Sequence, residues 1–160
     1  MTTAQLMKKI CEKLQKRTNT SVFLGPAVSD SYGLFVWPWR LVENPFHKNS
    51  TPLRATQEIE TDHTQFISFT VHFLVVVSEP RYSVQGLSLL DDVHQFIIET
   101  PAITLDHSVA RVSLDPLSTD DLTSLFQSAN LPVTACVSVE ATFDHTYPKE
   151  SVTAPLVVDA

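Results

Sequence analysis

The sequence predicts an α+β domain: a single antiparallel or mixed sheet with two to three helices packed on one face. Three observations predict it. Phe66–Val77 alternates, with Ile67, Phe69, Val71, Phe73, Val75 and Val77 on one side and Ser68, Thr70 and His72 on the other. Val133–Phe143 alternates without a break, Val133, Ala135, Val137, Val139, Ala141 and Phe143 against Thr134, Cys136, Ser138, Glu140 and Thr142. A period of two is the signature of a strand with one packed face. Between and before these strands, segments with helical spacing supply the layer that covers the sheet.

Residues 4–17 form the first such segment. Leu6, Met7, Ile10, Cys11 and Leu14 lie on one arc of a helix, and Lys9, Lys13 and Lys16 on another. Thr2 and Gln5 have capping-box spacing, which satisfies free N–H groups at the helix start. Ser21–Leu24 is a short strand that ends at the turn signal Gly25-Pro26. Gly33–Leu41 is a strand rich in aromatic and β-branched residues. Pro38 inside it places the strand at an edge, on a bulge, or at a break, because proline donates nothing to a ladder.

Residues 42–65 are polar and rich in Asn, Thr, His and Pro, too long for an ordinary connection, and such loops tend to carry function or to be disordered. Phe66–Val77 follows, and its second face turns apolar at Leu74 and Val76, the mark of a central strand. Ser83–Glu99 reads as a helix with Leu87, Leu90, Val93 and Ile97 buried and Ser88, Asp92 and Gln95 facing away, stopped by Pro101. Val109–Leu114 is a short strand. Ser118 and Asp121 then cap a short helix carrying Leu122, Leu125 and Phe126. Val133–Phe143 closes the sheet. Residues 1–145 thus make one domain, and 146–160 a flexible or partner-bound tail whose apolar segment is Leu156, Val157 and Val158.

Composition limits the function. Of 160 residues, 43% are hydrophobic and 18% charged, a globular balance. The net charge of −7 argues against an electrostatic grip on nucleic acid or on an anionic membrane. No stretch approaches the roughly 18 apolar residues of a membrane span. The N-terminal lysines interrupt any secretory apolar region, so synthesis in the cytosol is expected. Lys8, Lys9, Lys13, Lys16 and Arg17 cluster at the start, while the chain after Arg54 is acidic. This leaves either a solvated helix face or a basic end that attracts an acidic body within one subunit or between copies. Cys11 and Cys136 lie beside apolar residues and read as buried free thiols.

Catalytic motifs are missing from the pattern. Three glycines, Gly25, Gly33 and Gly86, build no phosphate-binding loop. No serine occupies a nucleophile elbow. The six histidines lack metal-ligand spacing, and the pairs Asp62-His63, Asp106-His107 and Asp144-His145 point apart on a strand. Asp91-Asp92 and Asp120-Asp121 read as solvated or capping charge. The expectation is no cofactor, no metal and no enzyme activity. Trp37 and Trp39 flank Pro38 beside Arg40 and serve either core packing or a protein interface. A small ligand-binding or hydrolytic domain built on His72 and the Trp37/Trp39 face is the alternative, and it requires His72 to meet an acidic residue.

The order of segments resembles the tail-terminator (cap) family of contractile, phage-tail-like injection systems over residues 4–145. After an N-terminal helix, Leu34-Phe35-Val36-Trp37 leads into Val42-Glu43-Asn44, and Leu53-Arg54 follows in the polar loop where the family often has Arg-Asn. Phe69-Thr70-Val71-His72-Phe73-Leu74-Val75 resembles the family strand L-x-L-x-Y-L-x-T. Phe96-Ile97-Ile98-Glu99-Thr100-Pro101 resembles its L-x-x-x-P-x-L helix end. Arg111 to Phe126, through Asp115-Pro116-Leu117-Ser118, resembles P-L-S-x-E-x-L-x-x-L-W, with Phe126 in place of Trp.

The resemblance implies a structural subunit that forms a ring, typically of six copies, on the inner tube and last sheath layer. Its partners would be further copies of itself, the sheath protein and the inner tube protein, within a particle that is released or membrane-attached. A phage-like neck or tail-completion protein is the nearest variant. Interface candidates on this reading are Lys9, Lys13, Lys16, Trp37, Trp39, Arg40, Asn44, Arg54, Leu156, Val157 and Val158.

Overall fold

A computed structural model describes residues 1–27, 31–44, 64–78, 83–106 and 108–148, with backbone alone at 64–66 and 146–148. The elements are α1 (Thr3–Thr18), β1 (Val22–Leu24), β2 (Leu34–Glu43), β3 (Thr64–Val77), α2 (Val84–Glu99), β4 (Ala102–Leu105), β5 (Ser108–Leu114), α3 (Thr119–Ser128) and β6 (Cys136–Pro148). Six strands form one mixed sheet in the order β1-β2-β3-β6-β5-β4.

The two alternating segments make the centre. β3 pairs antiparallel with β6 from Thr64↔Pro148 to Val76↔Cys136. Val71, Phe73, Val75 and Val77 of β3 join Val139, Ala141 and Phe143 of β6 under α1 and α2 in the main core. Each such large side chain contributes roughly 1.5–3 kcal/mol by leaving water. α1 turns Leu6, Met7, Ile10 and Leu14 onto this core, as its spacing predicts. Its capping box is complete: the Gln5 amide donates to Thr2 Oγ1 at 3.2 Å, and the Thr2 amide donates to Gln5 Oε1 at 2.8 Å. Replacing Thr2 with alanine removes one side of that exchange and is expected to cost about 1 kcal/mol in urea unfolding.

α2 lies where expected, but its buried stripe is Gly86, Leu89, Leu90, Val93, Phe96 and Ile97. Leu87 is 45% exposed and not part of the core. The 86–89/90–93–96/97 series keeps helical spacing on one face and leaves Leu87 about a third of a turn from its centre.

Two helices therefore cover one face, as the sequence predicts, while α3 lies on the other. The reason is the second face of β3. Leu74 and Val76 form a smaller apolar cluster with Phe126 of α3, ringed by Trp37, Trp39, Leu117, Leu122, Leu125, Leu131 and Cys136. A strand that is apolar on both sides needs cover on both sides.

β2 carries Pro38 at a bulge. The register with β3 shifts between Pro38 and Arg40, leaving Trp39 without a cross-strand partner. β1 pairs only with Leu34–Val36 of β2, and it does so in parallel. A parallel pair ordinarily needs a long crossover. Here the chain returns from Gly25 to Gly33, held by Gly25 N–H to Val36 O at 2.9 Å and Leu34 N–H to Ser21 O at 2.9 Å.

β4 is a strand that the sequence reading does not include. It forms a hairpin with β5, turning at Asp106, which adopts a positive φ of 52°. β6 begins at Cys136 rather than Val133, because Cys136 faces Val76 at the end of β3 and, among the described residues, no partner strand lies beyond. It runs on to Pro148, past the expected domain end at residue 145. β2 reaches Glu43 and β3 starts at Thr64, so both strands enter the ends of the 42–65 segment. The rest of that segment, with Arg54, and the tail residues Leu156, Val157 and Val158 lie outside the described residues.

Candidate functional site

The sequence candidates separate onto the two faces of the sheet. Lys9 and Lys13 are half-buried and Lys16 exposed on α1, above the main core. Trp37, Trp39 and Arg40 belong to the opposite side, with α3. The basic helix and the tryptophans thus serve different surfaces. Part of the basic cluster is used internally: Arg17 Nη2 meets Glu99 Oε2 at 3.1 Å, with both side chains well exposed. Such a pair contributes little to stability. Among the described residues, Lys9, Lys13 and Lys16 make no ion pair.

Both tryptophans do pack. Trp37 stands edge-on to Phe126, ring centroids 5.8 Å apart. Trp39, pushed out by the bulge, lies 5.6 Å from the His72 ring, and its Nε1 is buried without an acceptor. Arg40 is exposed and sits directly across from His72 in the register. The Asn44 amide donates to Ser68 O at 2.8 Å and so extends the β2–β3 contact by one residue.

The side chains with chemical character converge next to Trp39. His72 on β3 pairs in register with Glu140 on β6, and Glu140 pairs with Ser113 on β5. Residues paired across a sheet share a face, so the three line up in one row. Asp115 follows β5 immediately, anchored by its amide to Ser138 O at 3.0 Å. Its Oδ2 lies 2.8 Å from His72 Nδ1, with the two side chains 20% and 16% exposed. Ser113 Oγ donates to Glu140 Oε1 at 3.1 Å. The donor atoms of His72, Asp115 and Glu140 all lie within 4.8 Å of one another.

This grouping was invisible in the sequence, because its members come from two strands and the residue that follows a third, and local spacing says nothing of them. The contact required by the hydrolytic alternative, His72 against a carboxylate, does exist. A His–Asp pair can orient an imidazole as a base, but the hydroxyl nearest in the row, Ser113, is directed at Glu140.

The remaining candidates resolve simply. Asp121 belongs to the cap of α3, its amide donating to Ser118 Oγ at 3.1 Å while Ser118 Oγ donates to its Oδ2 at 2.7 Å. Cys11 and Cys136 are free and half-buried. Burial pushes the Cys136 thiol up to about 11, and it raises Cys11 as well. Both stay protonated near neutrality and are poor nucleophiles. Among the described residues, no helix is long and apolar enough to cross a membrane.

A family profile described as the Pvc16 N-terminal domain matches residues 3–160. A search of curated proteins finds no match. Among solved structures, the fold is similar to the sheath/tube terminator, in its extended state, of PVC, an extracellular contractile injection system. The identity is 12% and the TM-score 0.66, covering 92% of this chain and 57% of that one. It is also similar to the tube-terminating cap of the anti-feeding prophage, at 12% identity and a TM-score of 0.67, covering 92% of this chain and 56% of the other. The chain thus spans a little over half the length of these structures, and the likeness is one of fold.

Proposed function

The chain belongs to the Pvc16 N-terminal domain family, and from that membership we propose that it acts as a terminator of a contractile injection particle, without catalysis. The observation that carries the reading is the shared fold, which extends over 92% of the chain in both a sheath/tube terminator and a tube-terminating cap. In this reading six copies close a ring on the end of the inner tube and the last sheath layer, and the ring stops further growth.

Ring closure joins two unlike surfaces of each subunit, head to tail. The domain offers such a pair. At one end of the sheet, β1 carries the exposed Phe23 and Leu24; at the other, β4 leaves its outer side unpaired among the described residues, next to the exposed Val109. The two ends differ in length and side chains, so each suits the other better than itself. Lys9, Lys13 and Lys16 add a basic patch to a protein of net charge −7, and an acidic neighbouring subunit is its natural complement. Trp37, Trp39, Arg40 and Asn44 line the α3 side, which faces the sheath or tube in this assembly. Arg54 and the Leu156, Val157 and Val158 segment reach a neighbour, the last by adding a strand to an open sheet edge.

Native mass by light scattering at low and high salt tests the ring. Six times the 17.8 kDa chain mass, falling as salt rises, is the expected result, since screened charges attract less. Reversing Lys9, Lys13 and Lys16 to Glu should dissociate the assembly without unfolding it. A monomer at both salt concentrations that also fails to bind isolated tube ends would sink the terminator reading.

A further inference from the structure

We propose that His72, Asp115 and Glu140 form a binding site for a divalent first-row transition cation of the zinc class. The proposal stands on this cluster alone and is independent of the terminator reading.

The donor set is one imidazole nitrogen and two carboxylates within 4.8 Å of one another. Nitrogen and oxygen donors in this mixture suit zinc and its neighbours, whereas magnesium and calcium favour oxygen alone. Around a bound zinc, donors stand roughly 3.5 Å apart, so the His72–Asp115 contact of 2.8 Å opens slightly, while Glu140, within 4.8 Å of both, adjusts toward them. Side-chain rotation covers that, because the backbone is already placed. His72 and Glu140 are direct cross-strand partners in the two central strands, and the Asp115 amide is tied to Ser138 O. A site built on paired strands holds its geometry better than one on a loop.

Outer contacts support the same arrangement. Ser113 Oγ fixes one oxygen of Glu140, the sort of second contact that orients metal ligands. His72 and Asp115 are mostly withdrawn from water but keep an edge open to it, which supplies an entry path. Charge points the same way. Two carboxylates gather around one imidazole, and among the described residues neither Asp115 nor Glu140 pairs with a lysine or arginine. A divalent cation neutralises both. Arg40 lies across from His72 in the register but is exposed.

Trp39 provides a reporter, its ring 5.6 Å from that of His72. The full chain, purified without a histidine tag, is titrated with Zn2+ and followed by thermal melting, and with Co2+ and followed by tryptophan emission. Zinc should raise the melting midpoint saturably, and cobalt should quench part of the emission. In Glu140→Gln and in His72→Asn, both binding responses should weaken by about tenfold or more, since even outer-contact losses cost that much. His94→Ala, on the exposed side of α2, should respond like the parent. Circular dichroism and melting in EDTA establish that each variant is folded. No response in the parent overturns the proposal, as does an equal response in Glu140→Gln and His72→Asn. The same response to Mg2+ or Ca2+ overturns the zinc-class assignment.

Discussion

Gly33→Ala is expected to lower stability by about 3 kcal/mol or more, read as a fall in the urea midpoint at unchanged slope. A Cβ at this position would stand 2.4 Å from Ser21 O and 3.2 Å from its carbonyl carbon, with the Phe23 ring at 3.1 Å. The first two are backbone atoms and cannot swing aside. Ser21 O is also the acceptor for Leu34 N–H, the bond that begins the parallel β1–β2 pairing, so moving it opens that pair. Movement of Gly33 in the other direction is checked by Ser78. Its amide donates to Gly33 O at 3.0 Å, its Oγ accepts from the Gly33 amide at 3.2 Å, and its hydroxyl donates to Ser31 O. The backbone adds its own penalty, because φ is +155°.

Gly25→Ala is the matched control. Its φ is +126°, but among the described residues nothing lies within 4 Å of the added carbon, so the cost should be only the backbone part, about 1 kcal/mol. Equal effects at the two glycines would show that steric contact with Ser21 is not what selects Gly33.

Phe126→Ala is expected to cost about 3–5 kcal/mol and to act on one part of the molecule first. Phe126 is the only buried residue of α3, and it fills the cluster over Leu74 and Val76 while meeting Trp37 edge-on. Its removal takes the anchor from α3 and opens Trp37 to water. Tryptophan emission should shift to the red, and amide exchange in α3 should accelerate while α1 and α2 stay protected, since they pack on the other face. Phe73→Ala removes a wholly buried ring from the main core and should instead accelerate exchange in all elements together. A uniform loss of protection in Phe126→Ala would mean that the two clusters behave as a single cooperative core.

These two experiments probe features of unequal visibility in the sequence. The apolar character of Leu74 and Val76 marks β3 as a central strand, and their cover is α3, which was expected on the same side as the others. Gly33 begins the strand read from the sequence, yet its contact with Ser21 depends on a parallel pairing that no local pattern announces. At the candidate site, Trp37 and Trp39 are legible as a pair beside Pro38, and the bulge that aims Trp39 at His72 is foreshadowed by the proline. His72, Asp115 and Glu140 carry no mutual signal, because the elements between them determine how close they come.

The amino-acid sequence by itself determined the α+β class, the α1 stripe and its capping box, and the alternation that makes β3 and β6 the centre of the sheet. It also determined where Pro38 breaks the ladder. Each is a matter of period or of one residue's covalent geometry, and so is written in a few neighbouring positions. Tertiary structure alone decided the face taken by α3, the direction of β1, the pairing of β4 with β5, and the meeting of one histidine with two carboxylates. Those depend on which strands become neighbours and in what register, and that choice is made by burial of the whole chain at once.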